Sequence, residues 1–141
     1  MPEIINGISE PELRLQVLPG KWSIFENLVH LQTYQPMFIQ RIQRILAGSR
    51  PSFTSYAAEA DPVFFENCSL SPKQVLEDLF QTRKQLAAIV AALSEVDLQK
   101  IGSHSVYGKM TLSDWLRFFL LHESHHHFTI FKLRSYLPSR A

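Results

Sequence analysis

Residues 120–128, "LLHESHHHF", place four histidines and one glutamate within six consecutive positions. Imidazole nitrogens ligate divalent metals, and a carboxylate beside them can orient a ligand or accept a proton. Three spellings overlap here. His-Glu-x-x-His is that of a zinc-protease helix. His122-x-x-x-His126 puts two imidazoles one helical turn apart, their side-chain roots roughly 5–6 Å from each other, so both can converge on one ion. Glu123-x-x-His126 is the motif of a ferritin-like di-iron bundle.

Residues elsewhere separate these chemistries. A zinc site needs a third protein ligand. In the extended protease motif Thr129 stands at the turn glycine and Lys132 at the third histidine, and neither can serve. No carboxylate follows Glu123, and no strand pattern is available to align a peptide substrate. A di-iron site requires a second Glu-x-x-His and two further glutamates. The segment around Glu77 and Asp78 has no histidine, and Glu26 and His30 are wrongly spaced. Two histidines remain upstream, His30 in "KWSIFENLVHLQTY" and His104 in "IGSHSVYGKM". His30 shares a helix face with Glu26, Tyr34 and Met37, a polar strip beside an apolar one. With His122 and His126 it would make a three-histidine site with open positions. His125 and His127 are rotated off this direction and read as surface residues. The alternative is a plain bundle whose buried histidines are satisfied by neighbours, although burying two unpartnered imidazoles is costly.

The elements that must position these groups are helical. A short helix is expected over residues 11–18, ended by Pro19-Gly20. A longer one is expected over 21–47, with Ile24, Leu28, Leu31, Phe38, Ile42 and Ile45 at helical spacing and Gly48 as its stop. Pro36 should kink or interrupt it, since proline removes an amide donor and crowds the preceding turn. Residues 49–70 read as a long aromatic loop, often a functional feature in a small domain. Ser71 and Pro72 start the next helix, over 72–93, with Gln74 completing a capping box and Leu70 and Val75 as staple. Its inward positions are Val75, Leu76, Leu79, Leu86, Ile89, Val90 and Leu93. A connector follows, then Thr111 caps a last helix over 112–137. On it Trp115, Phe119, His122, His126, Thr129 and Leu133 form one inward seam. Three long helices, a shorter one and two long connections point to an all-α four-helix bundle with crossovers.

Bulk properties narrow the class further. The chain has 141 residues, the size of one domain, with 45% hydrophobic and 19% charged residues. A net charge of +1, from 14 basic and 13 acidic residues, gives no electrostatic reason to expect nucleic acid or an anionic membrane as partner. The single cysteine, Cys68, cannot form an internal disulfide, and the start of the chain lacks an export-signal pattern, so a reducing cytoplasm is expected. No apolar run is long enough to span a membrane.

Two stretches, "GKWSIFENLVHLQTY" and "YGKMTLSDWLRFFLLHESHHHF", together roughly a quarter of the chain, resemble the first metal-binding helix and the terminal motif of the DinB-like (YfiT-like) superfamily. The resemblance implies an up-down-down-up four-helix bundle, here with a short N-terminal helix. It implies a divalent metal, zinc or nickel, held by His30, His122 and His126, and so selects His30 over His104. Homodimers are frequent in that family. Its known activities include transfer of low-molecular-weight thiols such as bacillithiol or mycothiol, and hydrolase or isomerase chemistry. The functional expectation is a metal-dependent enzyme that activates water or a thiol toward a small-molecule substrate. A non-catalytic, metal-stabilised binding or stress-response module is the alternative. Glu123 is a candidate proton acceptor, imidazole partner or solvated residue, and Tyr34, Glu26 and Cys68 are candidate pocket groups.

Overall fold

The structure, a computed structural model, describes residues 1–140. Two short helices, α1 (Pro2–Ile5) and α2 (Glu10–Arg14), precede the long α3 (Ile24–Leu46). A short strand β1 (Ser52–Phe53) and α4 (Pro62–Asn67) lead to α5 (Pro72–Ala91) and the one-turn α6 (Glu95–Leu98). A hairpin of β2 (Ile101–His104) and β3 (Gly108–Thr111) then delivers the chain to α7 (Leu112–Arg134).

The helix starts follow their caps. Ser23 Oγ accepts from the Glu26 amide at 3.1 Å while the Glu26 carboxylate accepts from the Ser23 amide at 2.7 Å, a reciprocal capping box. Ser71 and Thr111 accept from the Gln74 and Asp114 amides at 3.2 Å each. The expected return bond from Gln74 is not made, because its amide donates to Asp78 at 2.8 Å instead. Gly48 ends α3 at φ +83°, in the left-handed region that glycine enters freely. Pro36 does not interrupt α3. It lies on the exposed side of the helix, where water can take the place of the lost donor.

Nearly every face of α3 is covered, which makes it the central helix. Its first half packs with Val75 of α5 and with Ile130 and Leu133 of α7 around Phe25, Leu28 and Val29. Its second half packs with Leu86 of α5 and with Leu112, Trp115 and Phe119 of α7 around Phe38, Ile42 and Ile45. These pairings require α5 to run parallel to α3 and α7 antiparallel to both. They are the last three limbs of the expected four-helix bundle, whose first limb is the abbreviated α1 and α2. Val90, expected to face inward, is exposed near the end of α5.

A minor three-stranded sheet occupies residues read from sequence as loop and connector. β1 pairs parallel with β2, and β2 pairs antiparallel with β3. Gly108, at φ +73°, turns the hairpin, and His104 Nδ1 accepts from the Val106 and Tyr107 amides at 3.0 and 3.3 Å inside the turn. The sheet fixes α7 in rotation, because Trp115 Nε1 donates to the Gly102 carbonyl at 3.1 Å. A Cβ on Gly102 would lie 2.9 Å from Ile45 and 3.1 Å from Trp115 Nε1, so only glycine permits this approach. Two turns beyond Trp115 on the same face stands His122. Among the described residues no helix is long and apolar enough to cross a membrane.

Candidate metal centre

Between the two apolar clusters lies a polar layer in which His30, His122 and His126 meet. Each offers a ring nitrogen, and the three nitrogens lie within 4.8 Å of one another. His30 Nε2 and His122 Nε2 stand 3.0 Å apart, although 92 residues separate them in sequence. The ring centroids are 4.5–5.0 Å apart around the triad. Nitrogens bound tetrahedrally to zinc at about 2.0–2.1 Å would be spaced by roughly 3.3 Å, close to the separation of the His30–His122 pair.

The protonation states suit ligation. Burial pushes the His30 and His122 pKa values down to about 4 and that of His126 to about 3, each reinforced by the neighbouring imidazoles. All three are therefore neutral near pH 7, with a lone pair apiece. Asn27 settles which nitrogen carries the His126 proton. Its amide donates to the Ser23 carbonyl at 2.8 Å, so its Oδ1 is the acceptor facing His126 Nδ1, also at 2.8 Å. His126 Nδ1 must donate, leaving Nε2 as the ligand atom. His30 Nδ1 and His122 Nδ1 are buried without a hydrogen-bond partner. A cation among the ring nitrogens fits this donor set, because the lone pairs converge and are uncharged.

Aromatic rings wall the triad. Trp22 packs against His30 and His126 with centroids 5.2 and 6.3 Å away, and Tyr34 stacks on His122 at 4.1 Å. Tyr56, from the segment after β1, stacks on His30 at 5.8 Å and donates its hydroxyl to Asp61 at 2.5 Å. Burial and that hydrogen bond push the Tyr56 pKa up to about 12, so the phenol keeps its proton. A cavity of about 460 Å³ opens on the His126 side, beside Trp22 and His125, and one of about 190 Å³ on the His122 side, beside Tyr34 and Tyr56.

Other residues singled out from sequence are engaged elsewhere. Glu123 is neither solvated nor an imidazole partner within the triad. It is buried, ion-paired with Arg83 of α5, and 3.5 Å from His127, one turn along α7. Burial raises its pKa, but the hydrogen bonds from His127 and Arg83 outweigh that and hold it below the usual carboxylate value. Arg83 in turn donates to Gln35 at 2.8 Å, linking α3, α5 and α7. Glu26 is consumed in the α3 cap. Cys68 ends α4, half-buried, with burial pushing its thiol pKa up. His104 serves the hairpin turn and is not one of the converging ligands. His125 is exposed at the wide cavity. Asn27 and Trp22 escaped the sequence reading. Asn27 stands three residues before His30 on one helix face, the spacing that could have found it. Trp22 precedes the helix and has no periodic signal.

The family model of the DinB superfamily matches residues 1–130. The chain belongs to the DinB superfamily. Within reach of this DinB-superfamily chain is the uncharacterised protein YuaE of Bacillus subtilis (strain 168), 26% identical over 137 residues, covering 86% of this chain and 83% of YuaE. The structure of YfiT from Bacillus subtilis superposes with a TM-score of 0.81 at 19% identity, covering 94% of this chain and 76% of YfiT. YfiT is described as a probable metal-dependent hydrolase with an unusual four-helix bundle topology. The likeness extends over almost the whole described fold.

Proposed function

We propose that His30, His122 and His126 hold a divalent metal ion, zinc or nickel, and that this single-domain protein is a metal-dependent enzyme. It acts on a small molecule by hydrolysis or by transfer of a low-molecular-weight thiol. The observation that carries the reading is the convergence of three neutral imidazoles, buried or half-buried, from two helices on one point. The description of YfiT as a probable metal-dependent hydrolase agrees with it. A divalent cation at such a site lowers the pKa of bound water or thiol and supplies a nucleophile near neutral pH.

The chain's own residues supply the rest. Asn27 fixes the tautomer of His126, and Tyr34 holds the plane of His122 by stacking. Trp22 covers His30 and His126 from the wide cavity, which limits water around the imidazoles. Tyr56 walls the triad beside His30 as a neutral phenol whose proton is donated to Asp61. Glu123, tied to Arg83, is a brace and not the proton acceptor. That engagement also favours the rival reading, a metal-stabilised module without turnover, because it ties up the carboxylate next to His122 in sequence. Exposed Leu120, Leu121, Phe128 and Phe131 form one outward stripe on α7 and support a homodimer. Turnover separates the readings. Metal-loaded protein is assayed with a panel of activated esters, and with electrophiles plus a low-molecular-weight thiol. Saturable turnover lost in His30→Ala and His122→Ala supports the enzyme; full metal loading without turnover on any substrate supports the module.

A further inference from the structure

The narrow cavity on the His122 side contains a cation without a counter-ion. Arg41 of α3 is only 9% exposed, yet among the described residues no carboxylate pairs with it. Its guanidinium donates a single hydrogen bond, from Nη2 to the Thr54 carbonyl at 2.7 Å, out of five N–H groups. It lies over Phe53 and Trp115, 5.1 and 5.8 Å from the ring centroids, and Arg44 covers Phe53 as well at 4.7 Å. Two of the polar groups lining the cavity have a proton to donate. Tyr34 is 3% exposed and its hydroxyl is buried with no partner. His104 accepts two backbone amides at Nδ1, so in the neutral ring its proton sits on Nε2. A buried guanidinium that makes one hydrogen bond and has no carboxylate beside it is costly unless an anion joins it.

We propose that this cavity is the recognition subsite for a carboxylate on the substrate, gripped by Arg41 with Tyr34 and His104 beside it. The planar fork of arginine matches the two oxygens of a carboxylate, and a charge-assisted pair of this kind is both strong and directional. His122 stands in the same wall, so the anion is held next to the triad. The volume, about 190 Å³, is below the roughly 300–1,000 Å³ of sites that engulf a whole drug-sized ligand, so the cavity takes one end of the molecule. The substrate class is accordingly a small organic acid or its conjugate, whose reactive ester, amide or thiol group lies toward the histidines. Burial drives the Arg41 pKa down from its usual value, with Arg44 adding to the effect, as expected of a cation short of a partner.

The inference rests on the metal reading for the direction of the substrate, and its test keeps the two apart. Zinc-loaded full-length protein is titrated with mercaptoacetate and with its neutral analogue mercaptoacetamide by calorimetry, in the wild type and in Arg41→Gln and Tyr34→Phe. The preference for acid over amide should fall by about tenfold in Arg41→Gln and by several-fold in Tyr34→Phe, at unchanged zinc content. An acid-to-amide ratio that neither variant alters overturns the proposal. Tyr34→Phe deletes only an unpartnered hydroxyl, so it carries the test if Arg41→Gln does not fold. Failure of the wild type to take up zinc contradicts the metal reading alone. The subsite is then read in metal-free protein through the Arg41 Nε–H resonance during an acetate titration. A saturable shift supports it, and no shift, or a larger response to inorganic phosphate, overturns it.

Discussion

Three imidazoles share one fate because burial keeps each of them neutral. Their pKa values of about 4, 4 and 3 lie below the ordinary 6.5, so between those limits the unfolded chain binds protons that the folded chain refuses. Stability of the metal-free protein should therefore be complete above pH 6.5 and decline as pH falls toward 4 and 3. Urea unfolding across that range measures it; a stability that rises on acidification would contradict the burial of neutral histidines. Asn27 gives a second prediction. Replacing it with alanine removes the acceptor that fixes His126, and metal affinity should drop by about 10–100-fold with little change in helix content. Chelator competition reads the affinity and circular dichroism the fold. At this scale the spacing of His122 and His126 was legible in the sequence, since it follows from helical period alone. The partnership with His30 was not legible from spacing, because a separation of 92 positions carries no local signal, and it came from the resemblance of the early helix. The engagement of Glu123 was invisible for the same reason: its partner Arg83 lies 40 residues away on α5.

The elements hold the triad by fixing two helices against a third. Trp115, anchored to the β2 carbonyl of Gly102, sets the rotation of α7 at one end. The Arg83–Glu123 pair and the Arg83–Gln35 bond tie α5, α7 and α3 at the middle. Glu123→Gln should accordingly lower stability by about 1–3 kcal/mol, less than a fully buried pair, because the Arg83 side chain is 40% exposed. Thermal and urea unfolding check it. A Glu123→Gln protein of unchanged stability but no activity would instead return Glu123 to the role of proton acceptor. The long helices were legible through their caps at Ser71 and Thr111 and through the apolar period of α3 and α7. The sheet was not, since strands of two to four residues are too short for alternation to stand out, and their pairing joins Phe53 to His104 across the whole of α4 and α5. Pro36 misled because its cost depends on which face it occupies, and the sequence alone did not show that face to be exposed.

For the whole molecule, the triad sits at the waist between two apolar clusters, where α3 and α7 cross from one to the other. That position keeps the imidazoles buried while leaving a cavity on either side. The outward stripe of α7 is independent of this arrangement. If it joins two copies, Leu121→Glu with Phe128→Glu should convert a dimer to a monomer in sedimentation without altering metal content; a wild-type protein already monomeric at high concentration would contradict the homodimer. The bound ion is the decisive quantity. Protein purified without chelator, or reconstituted with zinc or nickel and desalted at neutral pH, is analysed for metal by mass spectrometry beside His30→Ala, His122→Ala and His126→Ala. About one divalent ion per chain in the wild type, and loss of most of it in each variant, is the predicted result. A wild-type protein that retains no stoichiometric metal, or variants that retain it undiminished, would contradict it.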